Sequence, residues 1–278
     1  MVMLHMKRSD DQQFLYETTV EAKVTDVIEE MVEIHNLRLR IHRLNLEGGE
    51  LAEYGPAREP SKVGIDEYKV SERERSPYYK EDPTGRRTGN APMPETAKVL
   101  KKTLADADAV MNKKQVEKKV VMKKADLLEA IDNIRGAVMI NFPMGLPEWD
   151  NVRLAIEDKE ELEGTSFAAD ILEPDTATLW WAGKQMMPGN LMKDHVGRNE
   201  KTKVICKLQK KGQGAPAREP VVNADTQKAM LAYYHKKQEE QKKLEENQDD
   251  SFLHSSWANS NSLKQSLSGV PSSGVRFR

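Results

Sequence analysis

Six histidines, at positions 5, 35, 42, 195, 235 and 254, and a single cysteine, Cys206, are the side chains of this sequence best suited to hold a metal or carry a nucleophilic step. Their spacing argues against both. No His-x-x-x-His or Cys-x-x-Cys pattern occurs, so nothing sets two ligands on one helix face or in one tight loop. Cys206 lies between Ile205 and Lys207 in an alternating run, where a buried structural thiol explains it better than a nucleophile needing an electropositive, accessible setting. Gly212-Gln-Gly214 leads into Ala-Pro-Ala, follows a strand and feeds no helix, so it reads as a loop and not as a phosphate cradle. The carboxylates are scattered through charge-mixed helical stretches, where a solvated face accounts for them. The sequence therefore predicts no catalytic residue, no metal ligand and no cofactor.

What remains are side chains suited to contact. Trp180-Trp181 reads as part of a helix, where neighbours point about 100° apart, so one ring enters the core and the other lies at its border. Trp181 is a candidate partner-binding residue on that basis, with core packing the competing explanation. Tyr233, Tyr234 and His235 open a polar helix and are candidates either to dock it or to meet a partner. Phe252 and Trp257, with Leu253, Leu263, Leu267, Val270 and Phe277, are spaced through a polar tail and gain burial only by docking on their own chain or on a partner. The lysines from Lys98 to Lys124 could face an acidic surface such as a tubulin tail. Asp106, Asp108, Glu117 and Asp126 are interspersed with them, which favours a solvated helix face.

The whole chain limits these options. It has 278 residues, with 43 Lys and Arg against 45 Asp and Glu, a net charge of -2 that does not condense on nucleic acid or an anionic membrane. Hydrophobic residues at 38% and charged residues at 32% allow small cores beside solvated helices or tails. One cysteine cannot form an internal disulfide, which fits a reducing compartment. The apolar run at Met1–Met6 is too short for a signal peptide, and none approaches the ~18 residues of a membrane span, so a soluble intracellular protein is expected.

The elements that would position these residues follow from periodicity. Val2, Leu4 and Met6, then Phe14, Tyr16 and Thr18, alternate across a turn at Ser9-Asp10-Asp11 and predict a hairpin. Thr25 is expected to cap a helix bearing Val27, Ile28, Met31, Val32 and Ile34, and Leu37, Leu39 and Ile41 alternate as a third strand. Strand, strand, helix, strand is the order of a ubiquitin-like β-grasp. A second copy is read from strands at 137–142 and 152–156, a helix containing Leu179, Trp180 and Trp181, and a strand at 203–208. The string Pro-Ala-Arg-Glu-Pro, at 56–60 and again at 216–220, supports a duplication.

The expected class is thus α+β, with two ubiquitin-like β-grasp units joined by a Pro-rich linker and helices, then a charged helix and a disordered tail. The boundaries read are 1–54 for the first unit, 55–94 for the linker and 95–135 for a helical segment, its second helix at 125–134 ended by Gly136. The second unit spans 136–222, the charged helix 223–247 and the flexible tail 248–278.

A series of strings resembles one family. It runs through Val99-Leu-Lys-Lys-Thr103, Arg135-Gly-Ala-Val-Met-Ile140, Pro143-Met-Gly-Leu-Pro147 and Leu179-Trp-Trp-Ala182. It continues with Val196-Gly, Asn199-Glu-Lys-Thr-Lys203, Gly212-Gln-Gly-Ala-Pro-Ala-Arg-Glu-Pro220, Tyr233-Tyr-His235, Leu244-Glu-Glu-Asn247 and Ser256-Trp-Ala258. Together they are similar to the Kurly family, the cilia- and flagella-associated proteins 298. The resemblance implies a non-enzymatic protein of the cytoplasm and basal body, needed for motile cilia. It implies a role in cytoplasmic preassembly of axonemal (outer) dynein arms and a link to planar cell polarity. The implied partners are axonemal dynein subunits and dynein-assembly co-chaperones, with no catalytic residues to transfer. The alternative expectation is a structural axonemal or microtubule-associated component.

Overall fold

Alternation in Val2–Lys7 produces strand β1, whose Val2, Leu4 and Met6 are buried. It pairs antiparallel with β2 (Gln13–Thr18) in the register Leu4 to Tyr16, and Arg8 N donates to Gln12 O across the turn at 3.0 Å. The computed structural model describes residues 1–9, 12–63, 75–216 and 224–246, with 261, 264 and 268; turn residues 10 and 11 and most of the second Pro-Ala-Arg-Glu-Pro string lie outside them.

The next element departs from expectation. Helix α1 runs from Val24 to Tyr54, so 37–44 continues the helix and is not a strand. Leu37, Ile41 and Leu44 share a helix face as readily as Leu37, Leu39 and Ile41 alternate. The intervening arginines are not solvated, which is what made the period ambiguous. The buried Arg38 donates to Met111 O at 3.1 Å and lies 5.2 Å from the Phe14 ring centre, and Arg43 pairs with Glu160 at 2.6 Å. Helix α1 is buried on more than one side because it is shared between the sheet and a helical layer. Thr25 is not its cap: Lys23 precedes the helix, and Thr25 Oγ1 accepts Gly189 N at 3.1 Å.

That layer lies in sequence between α1 and the third strand. It contains α2 (Pro94–Met111), the short α3 (Lys114–Glu117), α4 (Lys124–Asn141) and α5 (Asn151–Glu157). Helices α2 and α4 pack on each other and on α1. Of residues 137–142, read as a strand, 137–141 form the end of α4 and Phe142 follows it, so the helix runs through Gly136 instead of stopping there. Residues 152–156, read as another strand, are helical because Asp150 caps them, its carboxylate accepting Val152 N at 2.9 Å.

Leu179, Trp180 and Trp181, read as helical, belong instead to strand β3 (Ala177–Trp181). Ala182 and Gly183, both at positive φ (48° and 78°), turn the chain tightly into β4 (Lys184–Met186). Two consecutive left-handed residues in a two-residue loop match the right-handed twist of the flanking strands. Helix α6 (Met192–Val196) follows, and β5 (Lys203–Lys210) closes the sheet.

The strand order is β2-β1-β5-β3-β4, with β1 and β5 parallel and every other pair antiparallel. The expectation of two β-grasp units is therefore corrected. Of the strands expected for the two units only β1, β2 and β5 exist, and with β3 and β4 they form one five-stranded mixed sheet, interrupted after α1 by the helical insertion. The described residues fall into two compact units, Met1–Glu219 and Pro220–Arg278. The second holds α7 (Ala224–Glu246), whose described side chains are all exposed, as befits a helix with no apolar stripe.

Candidate interaction surface

The inner face of the sheet is closed. Leu4, Met6, Phe14, Leu179, Val204, Cys206 and Leu208 join Val27, Met31 and Ile41 of α1 in one buried cluster. Val204 and Leu208 are buried as the alternation of β5 requires, whereas Leu39 and Ile41 are buried from a helix and not from the strand expected there. Burial pushes the Cys206 thiol up to about 12, so it stays protonated and unreactive at neutral pH.

The outer face is exposed at the middle of β5 but covered at β2, where Leu15, opposite His5, is fully buried and its carbonyl accepts Met122 N at 2.8 Å. On β5, Ile205 is 54% exposed in a central strand, between Lys203 and Lys207. Its partner on β1 is His5, which bonds Gln13 at 2.8 Å. Met3, opposite Lys203, is half-buried. On β3, Trp180 pairs with Lys207 on one side and Gln185 on the other. Its indole N–H donates to Thr178 Oγ1 at 3.1 Å, and that hydroxyl donates to Gln209 O at 3.1 Å, so the ring is held against the sheet with part of its area in water. Ile205, with the half-buried Met3 and Trp180 on the neighbouring strands beside Lys203 and Lys207, is suited to bury a protein surface.

The candidates divide accordingly. Trp181 packs against the core, while Trp180 points the opposite way, because successive residues of a strand face opposite sides. The helical reading spread the two rings only 100° apart and singled out Trp181. Tyr233 and Tyr234 are exposed and meet edge to face at 6.1 Å, with His235 Nδ1 3.7 Å from Glu239. Phe252 and Trp257 lie outside the described residues. Trp180 and Ile205 were missed as surface residues, although both carry the outward phase of an alternating strand.

The segment after α1 is held by a buried charge cluster. Arg87, 2% exposed, donates to Glu47 Oε2 at 2.7 Å and to the carbonyls of Glu47 and Gly55 at 3.0 and 3.1 Å. The fully buried Asp150 lies 3.7 Å from the guanidinium and accepts Ala57 N at 2.8 Å. Asp82 is buried, which works to raise its pKa, but N–H donors from Thr84 and Arg87 and the Thr84 hydroxyl outweigh this and hold it below the ordinary value. These bonds pin the described part of the Pro-rich stretch to the end of α1 and the start of α5.

Among the described residues no cluster of three His, Cys, Asp or Glu side chains could hold a metal ion, and no helix is long and apolar enough to cross a membrane. A five-stranded mixed sheet with a long helical insertion, exposing Ile205 between lysines on one strand, is thus the class of structure this chain presents. Comparison with known proteins makes it more specific. The family model for cilia- and flagella-associated protein 298 matches residues 177–273. Cilia- and flagella-associated protein 298-A of Xenopus laevis is 43% identical over 282 aligned residues, covering 97% of each chain. The Homo sapiens protein of that name is 41% identical with the same coverage, and the Drosophila melanogaster one is 38% identical across the full length of both chains. No solved structure matches. The chain belongs to the cilia- and flagella-associated protein 298 family.

Proposed function

We propose that this chain is a non-enzymatic factor for cilium motility, acting in the cytoplasm and at the basal body to preassemble axonemal outer dynein arms through protein–protein contacts. The observation that carries the reading is similarity over nearly the whole chain to proteins named for cilia and flagella. The site is consistent with a binding role. Cys206 and His35 are both buried, and the exposed part of the sheet face offers apolar area beside cations. In this reading the Ile205–Trp180 face holds dynein subunits or their co-chaperones, with Phe252 and Trp257 as further contacts and planar polarity as a second output.

Fractionating ciliated cells, then capturing this chain from the cytosol, tests the reading. Cytosolic enrichment together with immature dynein heavy chains is expected. Salt-resistant retention in the axoneme, with no dynein chains captured from cytosol, would replace it with the structural axonemal reading.

A further inference from the structure

Helices α2 and α4 pack together and leave an open groove of about 630 Å³ along their outer side. Small residues, Ala107, Ala130, Gly136 and Ala137, line it, flanked by Val99 at 48% exposure and Ile140 at 60%. Four carboxylates, Asp106, Asp126, Glu129 and Asp132, border the same space, and among the described residues no basic side chain lines it. Arg135 pairs with Asp132 at 2.9 Å, leaving the other three to set the sign of the field.

Gly136 gives the groove its meaning. It sits inside α4, where glycine costs about 1 kcal/mol relative to alanine, and a Cβ there would meet nothing within 4 Å. Packing within this chain gives no reason for its absence. What the missing side chain provides is room for another backbone to approach. Val99 and Thr103 of α2, and Gly136, Ala137 and Ile140 of α4, all line this groove.

From this we propose that the α2–α4 groove binds a basic amphipathic helix of a partner protein. The partner's apolar residues, at i, i+3 or i+4 and i+7, would fill the space beside Val99 and Ile140. Its Lys or Arg side chains would meet Asp106, Asp126 and Glu129. The proposal rests on the groove alone and not on the dynein reading, so either can fail without the other.

The test selects binders from a displayed library of helical peptides, with an apolar face and randomised flanking positions, on the full chain. Fluorescence anisotropy then gives the affinity of the best peptide. The selected peptides should be net positive and bind more weakly as salt rises. Gly136→Leu should weaken binding by roughly tenfold or more through filling the groove, while the thermal midpoint holds or rises because leucine favours helix. Asp126→Lys with Glu129→Lys should weaken it similarly. A library that yields no binder, yields acidic binders, or yields binders indifferent to both variants overturns the proposal. Self-association of the full chain that Gly136→Leu abolishes would assign the groove to a second copy and also overturn it. So would displacement of the selected peptide by a synthetic 248–278 segment, which would assign the groove to this chain's own C-terminal residues.

Discussion

Leu4 of β1 and Val204 of β5 are parallel-strand partners, and the same pairing brings Cys206 Sγ within 3.7 Å of His5 O across 201 residues of chain. The first and last strands thus form the centre of the sheet, and everything between them is supported from both sides. Neither half of the sequence has a complete sheet. Expressed separately, residues 1–135 and residues 136–278 should each lack a cooperative thermal transition by circular dichroism. A cooperative melt from either fragment would show an independent unit and contradict the single-sheet fold.

The Arg87 cluster should carry a large share of local stability. Arg87→Met removes the buried cation and leaves Asp150 without charge compensation, a change that typically costs roughly 3–5 kcal/mol. Residues 75–93 should at the same time become sensitive to limited proteolysis, since their bonds to Glu47 and Gly55 run through that guanidinium. Denaturant midpoints and the first cleavage sites report both effects. A variant within about 1 kcal/mol of the parent would show the cluster to be incidental.

His35 predicts a pH effect of defined sign. Burial, assisted by Arg8 and Arg38 and opposed by the Asp170 carbonyl, lowers its pKa from 6.5 to about 4. Its Nε2 lies 3.1 Å from both Arg8 Nη1 and Asp170 O. The unfolded chain takes up the proton first as pH falls, so this residue's contribution drops through the window from about 6.5 to 4, by up to ~3 kcal/mol. Stability of the parent minus that of His35→Gln, followed from pH 7.5 to 4, should decline across that window. A difference independent of pH would contradict the assignment.

How far the sequence revealed this fold depended on whether a segment had one buried side. Strands β1 and β5 do, and their alternation located Val2, Leu4, Met6, Val204 and Leu208 correctly. Helix α1 does not. With Arg38 and Arg43 buried by partners on distant segments, the polar positions that normally mark a helix's wet face were hidden in the interior. The β3–β4 hairpin was missed for a different reason. Its turn is Ala182-Gly183, and alanine at positive φ gives no warning in the sequence, so two tryptophans that prefer strands read as helical. That error exchanged the roles of Trp180 and Trp181. The relation between the two halves was beyond reach, because the parallel β1–β5 pairing leaves no local trace.

In the proposed function the chain serves motile cilia through the exposed face around Ile205, while the inner face of the sheet holds the fold together. Ile205→Asp places a charge on the open face without touching the core, whereas Trp181→Ala removes a core contact and should lose stability approaching the roughly 3–5 kcal/mol of a fully buried ring. The decisive measurement is ciliary beating in cells lacking this chain and supplied with full-length Ile205→Asp at matched abundance and an unchanged melting midpoint. The expected result is a folded, abundant protein that leaves cilia immotile and their outer dynein arms missing by electron microscopy. Restoration of normal beating by that variant would contradict it.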